Sequence, residues 1–222
     1  MSRSDPLSFP LWPLPLVIAA LFTVAAHVAL WLSIRDGHVE ACVPVLEGCA
    51  SISRAARHGL GNHVFRLLVL PCALLVGLHW WLAARWLGRG WRDVAWLGGI
   101  AALALAVYAT FLGTDGDAYR FLRRYGVVCF FGFGYLAQLR FLRGARGGMR
   151  MDGRLFAAMV AVGALMLLLG LGNVAAGALV ANEALKDRIE NALEWQLGWL
   201  LAGWYVLHAA LWHKARVRLA FA

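Results

Sequence analysis

Charged side chains are scarce in this chain. Asp, Glu, Lys and Arg make up 15% of its 222 residues, against about 25% in an average soluble domain. Apolar residues reach 62%. A soluble globule of this size has too little interior to hide that much apolar surface, whereas a bilayer does not require it to be hidden. Disorder, a coiled coil and an ordinary soluble enzyme are excluded on the same ground. No lysine falls in any long apolar run, which excludes a retinal Schiff base, because that chemistry needs a buried Lys amine. No series of Asp, Glu and His crosses the runs, so a proton pump or ion-coupled transporter is not expected. CxxC, HxxxH and HExxH are absent, and His208 and His213 fall on different faces of a helix. Neither a metal nor a cofactor is therefore expected. The G-x-S-x-G nucleophile elbow is missing as well. The net charge of +9 is spread in short Arg clusters between apolar runs, which excludes a nucleic-acid partner.

What is present is a set of six apolar runs near 11–34, 64–86, 94–113, 126–142, 155–181 and 195–213. Each is long enough to cross ~30 Å of hydrocarbon at roughly 1.5 Å per residue. The expected fold is all-α: one integral membrane domain over 1–222, a six-helix bundle with a polar periplasmic cap. Twelve Lys and Arg residues fall on the side of the short loops near 85–92, 140–154 and 214–218, and nine on the other. The positive-inside rule then puts both termini in the cytoplasm, and loops 35–63, 114–125 and 182–194 outside. Nine of the twelve acids lie on that outer side. The inner Arg clusters are expected to touch anionic lipid. Pro71 predicts a kink in the second run. His27 and His79 are the deep ionisable candidates, with Gln138 and Asn173 as neutral polar partners. Cys42 and Cys49 share the first outer loop at a spacing that closes a small disulfide ring in an oxidising compartment. Cys72 and Cys129 lie inside runs, where a free Cys acts as a small hydrophobe.

Chemistry is concentrated in the three outer segments. The first carries Ser51, Ser53, Arg54, Arg57, His58, His63 and Arg66; the second carries Asp115, Asp117, Arg123 and Arg124. In the third, Glu183, Asp187, Glu190 and Glu194 recur at spacings of four, three and four, which lines one face of a helix. Asn182 suits the cap of that helix, which is expected to run without a break into the sixth run. A solvated acidic face and a charge network joining the three loops are both open, and in the network Arg123 and Arg124 approach the stripe. Guanidinium forks suit phosphate oxygens, so Arg54, Arg57, Arg66, Arg123 and Arg124 are candidates for holding a lipid head group. Ser51 or Ser53, His58 or His63, and Asp115 or Asp117 supply the residue types of a nucleophile, base and orienter.

Ser51-Ile52-Ser53, followed by Gly61-Asn62-His63-Val64-Phe65-Arg66 at the second run, resembles the FRAG/DRAM/Sfk group of six-span membrane proteins. The six-run layout, with its longest outer loop after the first run, is similar too. The chain departs from the group's pattern at Arg54, where an acid is common, and in its Asp115-Gly116-Asp117 segment. That group is linked to GPI-anchor remodelling, autophagy modulation and lipid asymmetry. The composition, rich in Arg, Ala, Leu and Gly, suggests a high-GC bacterium, and bacteria generally lack GPI anchors. What the resemblance implies here is a broad lipid-handling role in a bacterial inner membrane. Two functions follow as expectations. One is a protein that binds or organises phospholipid or glycolipid head groups at the outer leaflet, with membrane lipid and another membrane protein as partners. The other is a membrane hydrolase or transferase acting on a lipid head group through the Ser/His/Asp set.

Overall fold

The computed structural model describes residues 8–148 and 152–220; Arg3, Asp5 and Arg150, counted in the charge asymmetry, lie outside them. The described chain is built of eight α-helices: α1 Pro13–Arg35, α2 Pro44–Glu47, α3 Ile52–Ala55, α4 Gly59–Leu87, α5 Arg92–Phe111, α6 Asp117–Gly148, α7 Gly153–Leu179 and α8 Glu183–Lys214. Two short strands, β1 Ser8–Pro10 and β2 Arg218–Ala220, pair antiparallel. Among the described residues, five helical stretches are long and apolar enough to cross a membrane: α1, α4, Arg89–Phe111, α6 and α7. They are compatible with a multi-pass membrane protein.

The long α8 is not among the five. Where the others carry Leu, Val and Ala, its second half carries Gln196, Trp199, Trp204, Tyr205, His208 and Trp212. These residues lower its hydropathy and make it the inner, aromatic helix of the bundle: Trp195, Trp204, Tyr205, His208 and Trp212 are all buried.

Helix starts follow local chemistry. Pro13 and Pro15 open α1 where the missing N–H groups are not needed. Asn182 Oδ1 accepts the Leu185 N–H at 3.0 Å, and α8 then runs unbroken through to Lys214. Asp152 caps α7 by accepting the Arg154 N–H at 2.9 Å and also meets Lys214 at 2.6 Å, which together hold its carboxyl below the usual range. Two helices exceed the apolar runs that announce them. α4 begins at Gly59 and continues through Pro71, and α6 begins at Asp117 rather than near 126. The start of α6 carries Arg120, Leu122, Arg123 and Arg124, which are good helix formers, and a helix does not stop where the apolar run does.

α4, α5 and α6 form consecutive antiparallel hairpins. α1 packs between α4 and α8, and α7 packs mainly on α8. Leu167, Leu168, Leu171 and Val174 of α7 face outward. The bundle therefore has two ends. The clasp end holds β1–β2, the α4–α5 and α6–α7 turns and the close of α8. The cap end holds the segments between α1 and α4, α5 and α6, and α7 and α8. The β1–β2 clasp is extended by the Leu11 N–H donating to Val217 O at 3.0 Å.

The core near the clasp end is aromatic. The His79 and His208 rings meet at 4.4 Å, with Trp80, Tyr205, Trp212 and Phe141 around them. Among the described residues, no ring nitrogen of either histidine has a hydrogen-bond partner. Gly98 lets α5 lie directly on Trp80, since a Cβ there would stand 2.1 Å from Trp80 Cγ. Gly98→Ala is expected to destabilise the protein by about 1–3 kcal/mol through overpacking, measured by thermal melting in detergent. Gly99→Ala, whose Cβ meets nothing within 4 Å, is expected to melt as the wild type does.

Candidate functional site

The cap is built on α8. Cys42 and Cys49 are bridged, with Cα atoms 6.5 Å apart, and the ring they close contains α2. Gly48 ends α2 at φ 63°, and a Cβ there would lie 1.8 Å from the Arg188 carbonyl oxygen. Only glycine serves at this position, both for the backbone conformation and for the close approach. Around this contact, side chains of α8 donate to carbonyls of the loop. Arg188 Nε donates to Glu47 O at 3.0 Å, Asn191 Nδ2 to Gly48 O at 2.9 Å, Trp195 Nε1 to Ala50 O at 2.8 Å and Gln196 Nε2 to Val45 O at 3.1 Å. Glu194 reverses the pattern: its Oε1 accepts the Ser53 N–H at 3.0 Å, and the Ile52 N–H lies close enough to favour its charged form.

The Ser-Ile-Ser segment is held in this contact. Ser51 Oγ caps α3 by accepting the Arg54 N–H at 3.0 Å and lies 3.0 Å from Ser53 Oγ. Tyr108 of α5 lies close by and lines the cavity together with Glu194. The buried Asn62 Nδ2 donates to both Ala56 O and Leu112 O at 2.9 Å. It thereby ties the start of α4 to the end of α5.

Beneath the cap lies a narrow, partly open cavity with about 80 Å³ of room for the centres of water molecules. Phe22, Phe65, Val69, Leu105, Phe130 and Leu201 give it apolar walls, and Glu194, Tyr108 and His27 lie at its polar side. His27 is engaged through Nδ1 with Thr23 O at 2.7 Å and stands edge-on to Trp195 and Trp199. The Glu194 carboxyl, standing just before the sixth apolar run, is pushed up from 4.5 to about 7 by burial, against the opposing pull of the Ser53 N–H, Arg57 and Arg54. Near neutral pH it is thus poised between acceptor and donor at the mouth of an apolar slot.

The acidic stripe divides among partners. Glu183 pairs with Lys186 at 2.5 Å, Asp187 with Arg54 at 3.4 Å, Glu190 lies beside Gly177 of α7, and Glu194 takes the Ser53 amide. Arg123 does not reach the stripe. It turns back to donate to the Phe111 and Thr114 carbonyls of its own loop, where α5 has ended and those carbonyls need donors. Arg57 and Arg124 are exposed, and Arg66 is half-buried; none of the three forms an ion pair among the described residues. Asp117 pairs with Arg120, and Asp115 is exposed. His58 stacks on His38 at 5.1 Å, and His63 is exposed. Among the described residues no hydrogen bond joins Ser51 or Ser53 to His58 or His63.

Sequence reasoning passes over Arg188, Asn191, Trp195 and Gln196, the donors that hold the cap. Their signal was the polar residues at 188, 191 and 195, a 3–4 spacing beside the acidic stripe. It also passes over Tyr108 and the contact of His208 with His79, for which nothing local to either residue gives notice. No family model, no curated protein and no solved structure matches the chain.

A carboxyl raised in the folded state binds its proton more tightly folded than unfolded. The stability contributed by Glu194 is thus fully present below 4.5 and is lost as pH rises through about 7. The difference in melting temperature between wild type and Glu194→Gln is expected to change across this window, since Gln keeps the acceptor but does not titrate. Parallel pH curves would assign the dependence elsewhere. The Cys42–Cys49 ring is expected to contribute about 2–3 kcal/mol. The Cys42→Ser/Cys49→Ser variant should melt at the temperature of reduced wild type, below the oxidised protein.

Proposed function

We propose that the protein holds a membrane lipid, with an apolar chain in the cavity and the head group at the cap. The observation that carries this is the juxtaposition of a narrow apolar slot with a poised carboxyl, Glu194, at its mouth and the exposed Arg54 and Arg57 beside it. The slot's apolar lining suits a hydrocarbon chain, and the guanidinium forks suit phosphate oxygens. The Ser51 hydroxyl caps α3 and meets the Ser53 hydroxyl, and among the described residues neither serine bonds a histidine, which favours binding over hydrolysis.

This function belongs to a six-span architecture in a bacterial inner membrane, with the cap on the outer side. The clasp supports that count. β1 precedes α1 and β2 follows α8, and the two pair at one end of the bundle. An even number of crossings returns the chain to the side where it began, so α8 crosses as well as the five more apolar helices. The FRAG/DRAM/Sfk resemblance is proposed as the family of this chain, and its Ser-Ile-Ser segment is the one that meets Glu194.

Mass spectrometry of lipid extracted from the purified protein tests the proposal. The wild type is expected to retain lipid, and Leu105→Trp, which fills the slot, should lose most of it while keeping the same helical content. Equal lipid in the two proteins would sink the cavity as the binding site. Reporter fusions after residues 88 and 148 should both read cytoplasmic.

A further inference from the structure

We propose that the recess inside the α4–α5 elbow binds an anionic phospholipid whose head group carries two phosphates, the chemistry of cardiolipin. The elbow lies at the clasp end, opposite the cavity and cap. α4 ends at Leu87, Gly88 adopts φ 103°, and a single tight turn at Arg89–Trp91 leads into α5. The reversal leaves an open recess of about 1030 Å³, about half of which, about 510 Å³, is wide enough for water. Arg85, Arg89 and Arg92 line it, flanked by Trp81 and Trp96.

The charge of this recess is uncompensated. Asp93 is the one acid between residues 64 and 113, and Arg140 already holds it at 2.5 Å. Arg140 is itself fixed over the Trp91 ring at 4.5 Å. Among the described residues, Arg85, Arg89 and Arg92 form no ion pair. Three adjacent guanidiniums repel one another until an anion joins them, and three forks give two phosphates bidentate partners with one to spare.

The surroundings point to a lipid rather than a free anion. Trp81 and Trp96 are 46% and 71% exposed, as tryptophans at a membrane interface are. Arg85 Cζ sits 4.9 Å over the Trp81 ring, which places its charge at that depth. Above the recess, Leu74 and Leu78 of α4 and Ile100 and Leu103 of α5 face outward and present a continuous apolar surface to acyl chains. Basic pockets between membrane helices on the cytoplasmic side are where doubly charged head groups dock. A second recess at the same end, lined by Leu142, Arg143, Arg146, Gly147 and Phe156, has two arginines and no tryptophan, and serves as the internal comparison.

The test is titration of delipidated protein in detergent with cardiolipin, phosphatidylglycerol, phosphatidylcholine and inorganic phosphate at equal phosphate, read by native mass spectrometry and thermal shift. Cardiolipin is expected to bind at least about tenfold more tightly than phosphatidylglycerol, with no response to phosphatidylcholine or free phosphate. R85A/R89A/R92A should erase that preference, and R143A/R146A should keep it. R85K/R89K/R92K retains the charge and removes the fork, and is expected to bind cardiolipin several-fold more weakly with an unchanged fold. Equal affinity for cardiolipin and phosphatidylglycerol overturns the two-phosphate assignment. Loss of the preference in R143A/R146A, or its survival in R85A/R89A/R92A, overturns the site. If the alanine triple does not fold, the lysine triple decides, and unchanged affinity there overturns the site.

Discussion

Irregular backbone packed against a helix needs partners for the carbonyls and amides it buries, because an unpaired buried polar group costs about as much as a lost hydrogen bond. The stretch between α1 and α4 is the longest such backbone in the molecule, and α8 answers it residue by residue. Arg188, Asn191, Trp195 and Gln196 donate to four loop carbonyls, and Glu194 accepts the amide of Ser53. The disulfide holds the loop in the shape those donors require, and Gly48 lets it close to van der Waals distance of the Arg188 carbonyl. This contact sets the height of α8 against α1 and α4. The height of α8 in turn places Glu194 at the mouth of the cavity.

Glu194 stands at the join of stability and function. A carboxyl half-withdrawn from water is costly to ionise, and here two amides and two nearby arginines offset the cost only in part, leaving it near neutrality. A residue placed only for packing would not need an ionisable group at an apolar slot. Its neighbours Tyr108 and Ser53 extend the polar rim across to α5, so the mouth of the cavity is shared by three elements distant in sequence.

The two ends of the bundle solve different problems. The cap end pairs charge with charge and side chain with backbone, through Arg54–Asp187, Lys186–Glu183 and the Asn62 bridge. The clasp end closes the chain on itself through β1 and β2 over an aromatic core. Among the described residues, it leaves Arg85, Arg89 and Arg92 without an ion pair. Exposed ion pairs contribute little to stability, so the cap's strength resides in its buried hydrogen bonds.

Much of the architecture was legible along the chain because it depends on local chemistry. Apolar runs announced the helices, Asn182 announced the start of an α8 that continues unbroken, and the short spacing of Cys42 and Cys49 announced their ring. The lower hydropathy of α8 was legible in its Trp, Gln and His content, although it took the packing to show that Trp195, Trp204, His208 and Trp212 face inward. What the chain did not disclose is every pairing across distant elements. The acidic stripe was visible as a helical face, yet its division among Lys186, Arg54 and the Ser53 amide depends on how close α3 lies to α8. Arg123 was equally available to those acids by charge, and its choice of the Phe111 and Thr114 carbonyls follows from where α5 happens to end. The cavity and the His79–His208 contact have no local signature at all, and of the α4–α5 recess only its cluster of Arg85, Arg89 and Arg92 was legible. Periodicity and capping are set within a few residues by the backbone's own geometry, whereas a cavity or a cross-helix contact is set by distances between helices, and only the packed bundle fixes those.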